Sequence, residues 1–165
     1  MDNETRLTIR AFGLPAPQGS KKASVIHGRA ILRESSANVA PWRQDVAAAA
    51  RETIKRHRDE IRFPINEPVR ARCEFLFPRP KSHYGSGSRA EFLTPSAPYW
   101  ITAQNKGDLD KVLRSTWDGL SRSSGGALLQ DDSIVVQVEA CKRYCGVDEQ
   151  PGAIIEITAA VPVSE

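Results

Sequence analysis

Apolar residues fall into two rhythms along this chain. From Thr5 to Leu14, Leu7, Ile9 and Ala11 alternate with polar residues, which predicts a half-buried strand. Pro15 to Lys22 is a turn rich in Pro, Gly and Lys. Ser24 to Arg33 reads as a hairpin, with Val25-Ile26 opposite Ile31-Leu32 around Gly28-Arg29. The rhythm then changes. Trp42, Val46, Ala49, Ala50 and Thr53 form one stripe of a helix from about Pro41 to Arg58. Pro41 suits its first position, and the alanines allow close packing. Pro64 to Pro68 breaks the chain. Val69 to Pro78 returns to alternation, with Val69, Ala71, Cys73, Phe75 and Phe77 on one face. A second helix carries Leu109, Val112, Leu113, Thr116, Trp117 and Leu120 at three- and four-residue intervals. After a flexible turn at Ser123 to Gly126, Ile134 to Tyr144 and Ala153 to Val161 predict an antiparallel pair across Gly146 to Gly152.

These elements predict a single α+β domain over residues 1–165, a mixed sheet packed against two principal helices. Its least regular part is a long flexible loop at about 79–104. The loop holds Gly85-Ser-Gly-Ser-Arg89, the prolines Pro80, Pro95 and Pro98, and Tyr84, Phe92, Tyr99 and Trp100. Loops of that length are usually functional or disordered. Aromatic rings beside basic residues suit stacking on unpaired bases. The plainer reading is a mobile excursion that Tyr99 and Trp100 pin back to the core. Both readings stand on the sequence alone.

Composition narrows the class. A chain of 165 residues supports one real core. The net charge is +3 and the pI near 8.9, mild for a protein that binds polyanions. The charge is uneven, however. Arg51, Lys55, Arg56, Arg58, Arg62, Arg70, Arg72, Arg79, Lys81 and Arg89 crowd the middle, and acids gather toward the C-terminal end. For Arg51, Lys55 and Arg56 an ordinary solvated helix face is an equal alternative. No apolar run is long enough to span a membrane, and there is no signal-peptide pattern. Cys73, Cys141 and Cys145 are odd in number and lack metal-ligand spacing, so they read as reduced thiols of a cytoplasmic protein. His27, His57 and His83 form no ligand set.

The chemistry concentrates in Lys106-Gly-Asp-Leu-Asp-Lys-Val-Leu-Arg-Ser-Thr-Trp-Asp-Gly-Leu120, followed by Leu128-Leu-Gln-Asp-Asp-Ser-Ile134. Asp108 and Asp110 stand at the mouth of the second helix, with Asp108 at a capping position and Gly107 turning the chain into it. Asp131-Asp132 precede an apolar strand. Two acids two residues apart share no helix face. They converge only if Asp108 belongs to the lead-in and Asp110 to the first turn. Such carboxylates suit a hard divalent cation, which keeps several waters and takes substrate phosphate as a further ligand. The alternative is that the helix acids only complement the helix dipole. Asp110 with Arg114, and Arg114 with Asp118, are neighbours four residues apart.

Lys-Gly-Asp-Leu-Asp-Lys, Trp-Asp-Gly-Leu and Leu-Gln-Asp-Asp-Ser-Ile-Val resemble the signature of the RusA-type Holliday junction resolvases. These are small dimeric magnesium-dependent endonucleases of phages, prophages and bacteria. The resemblance is strongest from Lys106 to Val138. It extends more weakly to Gly13-Leu-Pro-Ala-Pro-Gln-Gly-Ser-Lys-Lys22. It implies that Asp108, Asp110 and Asp132 bind Mg2+, or Mn2+ in its place. Asp131 is left aside because adjacent strand residues point to opposite faces. The family's catalytic lysine falls on Arg114, a departure that leaves phosphate clamping but not proton transfer. Lys111 stands where the family often has asparagine. Lys106 and Lys111, with Lys21, Lys22, Arg79 and Lys81, are the expected phosphate contacts. The implied activity is paired hydrolysis of four-way DNA junctions in recombination and repair, by a homodimer whose two-fold axis matches the junction. A nuclease of the same fold acting on flaps or forks, or a non-catalytic branched-DNA-binding module, are the alternatives.

Overall fold

The computed structural model describes residues 5–19, 22–26, 29–33, 37–103 and 107–161, with 22–26 and 29–33 as backbone alone. Eight regular elements follow in order: β1 (Arg6–Phe12), β2 (Lys22–Ile26), β3 (Arg29–Arg33), α1 (Val39–His57), β4 (Val69–Phe77), α2 (Leu109–Leu120), β5 (Val135–Tyr144) and β6 (Gly152–Ala159). A four-stranded mixed sheet runs β1-β6-β4-β5, and β2 with β3 forms a separate hairpin. The architecture is the expected α+β one.

Alternation sets one face of the sheet. Leu7 stands opposite Ile157, Ile9 opposite Ile155 and Ala11 opposite Ala153. Ala71, Cys73 and Phe75 continue the same rows on β4. All these residues are buried. The two helices close over this face and pack on each other. Trp42 is 1% exposed, and its indole N–H donates to Thr116 Oγ1 at 3.1 Å. A buried indole requires such a partner. The contact is close because of Gly119. A Cβ there would lie 2.8 Å from the Val46 side chain and 3.0 Å from the Arg43 carbonyl oxygen.

The expected β5–β6 hairpin is not formed. β4 lies between the two strands, parallel to β5 and antiparallel to β6. The link from Tyr144 to Gly152 must therefore step across one strand, about 10 Å at the usual sheet spacing. It is tied down on the way. Cys145 N–H donates to the Phe77 carbonyl at the end of β4 at 2.9 Å, and Gly13 N–H to the Pro151 carbonyl at 3.1 Å. Arg143 braces it, donating to Glu74 Oε1 at 2.6 Å and to both oxygens of Glu149. The carboxyl of Glu149 is thereby held down at about 2, chiefly by the Arg143 hydrogen bond.

Two smaller expectations also change. Helix α1 begins at Val39, so Pro41 is its third residue. The 123–126 segment is a tight corner: residues 122–124 form a 3-10 turn, Gly125 has φ 95°, and a Cβ on Gly126 would collide with the Gly119 carbonyl at 2.0 Å. Leu128 and Leu129 behind it are fully buried. The 79–103 segment carries 3-10 turns at Lys81–His83 and Gly87–Arg89 and returns along β5, where Tyr144 N–H donates to the Tyr99 carbonyl at 3.0 Å. The rings of Tyr99 and Trp100 stay half exposed.

Candidate active site

The N-terminus of α2 is assembled from three parts of the chain. Gly107, at φ 80°, turns the backbone into the helix, and a Cβ there would lie 2.4 Å from the Pro17 ring. The Pro-rich turn lies along the helix. Ser115 Oγ donates to the Ala16 carbonyl at 2.6 Å, and Gln18 N–H to the Lys111 carbonyl at 3.0 Å. On another side Lys142 of β5 donates from Nζ to the Gly107 carbonyl at 2.5 Å. The 132–134 turn also packs against α2. Thus the two acidic segments and the early Pro-rich turn, distant in sequence, meet around one helix.

Asp108 occupies the N-cap position with extended backbone but makes no capping bond. Its Oδ2 instead accepts from Lys111 Nζ at 2.8 Å. That hydrogen bond, and then the lysine's charge, hold the Asp108 carboxyl below its ordinary value; the same bond raises Lys111. Asp110 lies in the first turn and is exposed. The expected neighbours of Arg114 do not engage it. Asp118 pairs with Arg43 at 2.5 Å, and Arg114 is exposed with no polar partner among the described residues. An i,i+4 pair on an exposed helix face is worth too little to hold two long side chains together against solvent.

The second acidic pair is not on a strand. Asp132–Ile134 form a 3-10 turn before β5, and Asp131 is its N-cap, accepting from Ser133 N–H at 3.0 Å. Strand alternation therefore cannot separate the two acids. The capping bond does: Asp131 has an oxygen committed to its own turn, and its carboxyl is lowered by hydrogen bonding from Ser133. Asp132 is exposed and caps no turn, although its side chain also reaches the Asp131 carboxyl.

Among the expected phosphate contacts, Arg79 makes hydrogen bonds within the fold. Its Nε donates to the Cys145 carbonyl at 2.7 Å and its Nη1 to the Pro98 carbonyl at 2.8 Å, and its guanidinium lies over the Tyr144 ring. Those donors are spent on the fold. Lys81 is exposed on its 3-10 turn. Lys21 and Lys106 lie outside the described residues, as does the side chain of Lys22. The cations of α1 are also engaged locally. Lys55 pairs with Glu52, Arg56 donates to the Glu52 carbonyl and Arg51 to the Gly125 carbonyl. A groove of about 880 Å3 between β1 and α1, lined by these residues and Arg10, contains none of the candidate acids.

Lys142 was missed by sequence reasoning. The available signal was a lone charge on the apolar side of β5, where Ala140 and Tyr144 are its alternate neighbours.

The described residues form a mixed sheet backed by two helices, with Asp108, Asp110, Lys111 and Lys142 near the N-terminus of α2. The family model for endodeoxyribonuclease RusA matches residues 13–158, and the chain belongs to that family. Membership implies a Holliday-junction-resolving endodeoxyribonuclease. No curated protein sequence matches the chain. None of the helices of the described residues is long and apolar enough to cross a membrane.

Proposed function

We propose that this protein resolves four-way DNA junctions by magnesium-dependent hydrolysis of paired phosphodiesters, acting as a homodimer. The observation that carries the reading, beside family membership, is the packing of the Asp132 turn against the helix that bears Asp108 and Asp110. Among the described residues no three His, Cys, Asp or Glu side chains form a closed metal-ligand group. The donor chemistry nevertheless fits magnesium, which takes hard oxygen ligands and needs only one or two carboxylates beside water and substrate phosphate. Asp108, Asp110 and Asp132 would hold it. When bound, it supplies Lewis-acid stabilisation of phosphoryl charge and acidifies water.

The protein's own groups do the rest. Lys111, which pairs with Asp108, would be available to a phosphate once the Asp108 carboxylate held a cation. Arg114, uncommitted among the described residues, presents its guanidinium on the same helix and clamps phosphate oxygens through paired N–H donors. It holds charge in the transition state and transfers no proton. Lys106, Lys21, Lys22 and Lys81 extend the contact along the DNA backbone, which makes binding steeply salt-dependent. Phe92, Tyr99 and Trp100 are 66%, 50% and 56% exposed and offer rings to unpaired bases at the branch point. The two nicks of a junction are related by approximate two-fold symmetry, which a two-fold dimer matches with one site per subunit.

The test is cleavage of a matched panel: four-way junction, flap, fork and linear duplex, each with and without Mg2+. The four-way junction should be cut in opposing strands, only with the cation, and faster than the others. Faster cutting of flaps or forks would redirect the substrate. Tight binding without nicking in any condition would make the protein a binding module.

A further inference from the structure

Lys142 departs from the logic of its own strand. It sits on the helix-facing side of β5, in register with Phe75, which is wholly buried. An ammonium there loses part of its hydration, which is tolerated only where a polar partner receives it. The partner is the Gly107 carbonyl, and no other acceptor for Lys142 is found among the described residues. Gly107 is therefore held from two directions, by this hydrogen bond and by the Pro17 ring. The residue that follows is Asp108, whose backbone lacks the usual restraint of a side-chain cap.

We propose that Lys142 is a positioning residue for the metal-binding acids: it fixes the Gly107 carbonyl and so the backbone from which the Asp108 carboxylate projects. This rests on the metal-dependent nuclease reading above. Positioning and simple charge predict opposite signs. As a bare positive charge near Asp108, Lys142 repels a cation, and its removal would tighten cation binding. As a positioning group, its removal loosens the carboxylate and weakens binding.

The experiment titrates Mn2+ calorimetrically into the full chain without DNA, for wild type, Lys142→Met and Lys142→Arg. Methionine keeps the stem and loses the donor; arginine keeps a donor. Lys142→Met should bind Mn2+ about tenfold or more weakly, the scale seen when a group supporting a metal ligand is removed. Its junction affinity in EDTA should be unchanged, raised Mg2+ should restore its cleavage, and Lys142→Arg should recover most of the Mn2+ affinity. Equal or tighter Mn2+ binding by Lys142→Met overturns the proposal, as does cleavage that no Mg2+ concentration restores. Lys142→Ala, which leaves room for water at the carbonyl, is the second variant. Loss of the fold in both would make the lysine structural and overturn the proposal. Wild-type protein that binds Mn2+ but nicks no branched DNA would defeat the nuclease reading, leaving the positioning role to be judged by Mn2+ affinity. Wild type that binds no Mn2+ would defeat both.

Discussion

Lys111 offers the sharpest contrast with Lys142, because it touches the carboxylate itself. Its Nζ lies 2.8 Å from Asp108 Oδ2, with the two side chains 48% and 65% exposed. A pair so open to water is screened and is worth about fivefold at most as an equilibrium factor. A divalent cation can therefore displace Lys111 at little cost. Lys111→Gln removes the competitor, so Mn2+ affinity should rise, by about fivefold or less. The melting temperature should move by no more than about a few degrees, since the pair contributes so little to folding. The same change removes one positive charge facing phosphate, so the slope of log junction affinity against log salt should fall by about one. Calorimetry without DNA reads the first effect, and fluorescence anisotropy across a salt series reads the second. Weaker Mn2+ binding by Lys111→Gln would refute the reasoning, because the lysine would then be organising the acid rather than competing for it.

The remaining predictions test other links. Arg114→Lys should keep much of the cleavage rate with an unchanged pH–rate profile, whereas Arg114→Ala should lose about a hundredfold, the scale of one charge-stabilising donor; full activity of the alanine variant would remove Arg114 from the site. Gly119→Ala should destabilise the fold by about 1–3 kcal/mol in urea through overpacking against Val46, and unchanged stability would contradict the close α1–α2 contact. Glu149, held at about 2 by Arg143 against an ordinary 4.5, contributes stability that is fully present above pH 4.5 and is lost as pH falls toward 2. Because its side chain is 39% exposed, screening leaves about 1 kcal/mol of that. Urea unfolding at pH 6 and pH 3 should show a larger acid loss in wild type than in Glu149→Gln.

The elements were legible where a periodic pattern met a buried face. β1 and the first part of β4 alternate because one side of the sheet packs on the helices, although Leu76 on the other side is also buried, and α2 declares itself through Val112, Thr116, Trp117 and Leu120. Strand order was not legible. β5 and β6 are neighbours in sequence joined by a turn, and nothing local says that β4 enters between them. The candidate acids were visible in the sequence, but their contacts were not. Asp131 and Asp132 read as strand residues, yet Asp131 caps a 3-10 turn, which needs only a bond to Ser133 two residues on. Arg79 reads as a phosphate contact because it is basic and lies in a long loop, and nothing local reveals its hydrogen bonds to carbonyls of residues 66 and 19 positions away. Lys142 was hidden for the converse reason. Its partner is a backbone carbonyl 35 residues away, which no side-chain motif reveals.

The proposed activity requires acids from α2 and from the 132–134 turn to serve one cation-dependent cleavage step. The direct measurement is single-turnover cleavage of a labelled four-way junction in Mg2+ by wild type and by Asp108→Asn, Asp110→Asn, Asp132→Asn and Asp131→Asn. Asparagine keeps the shape and weakens hard-cation binding. The first three variants should bind the junction at least as tightly as wild type and cut it at no more than about a hundredth of the rate. Asp131→Asn should retain substantial activity, because its carboxylate caps its own turn. Near wild-type cutting by Asp132→Asn, with Asp131→Asn inactive, would contradict the assignment and give the third position to Asp131.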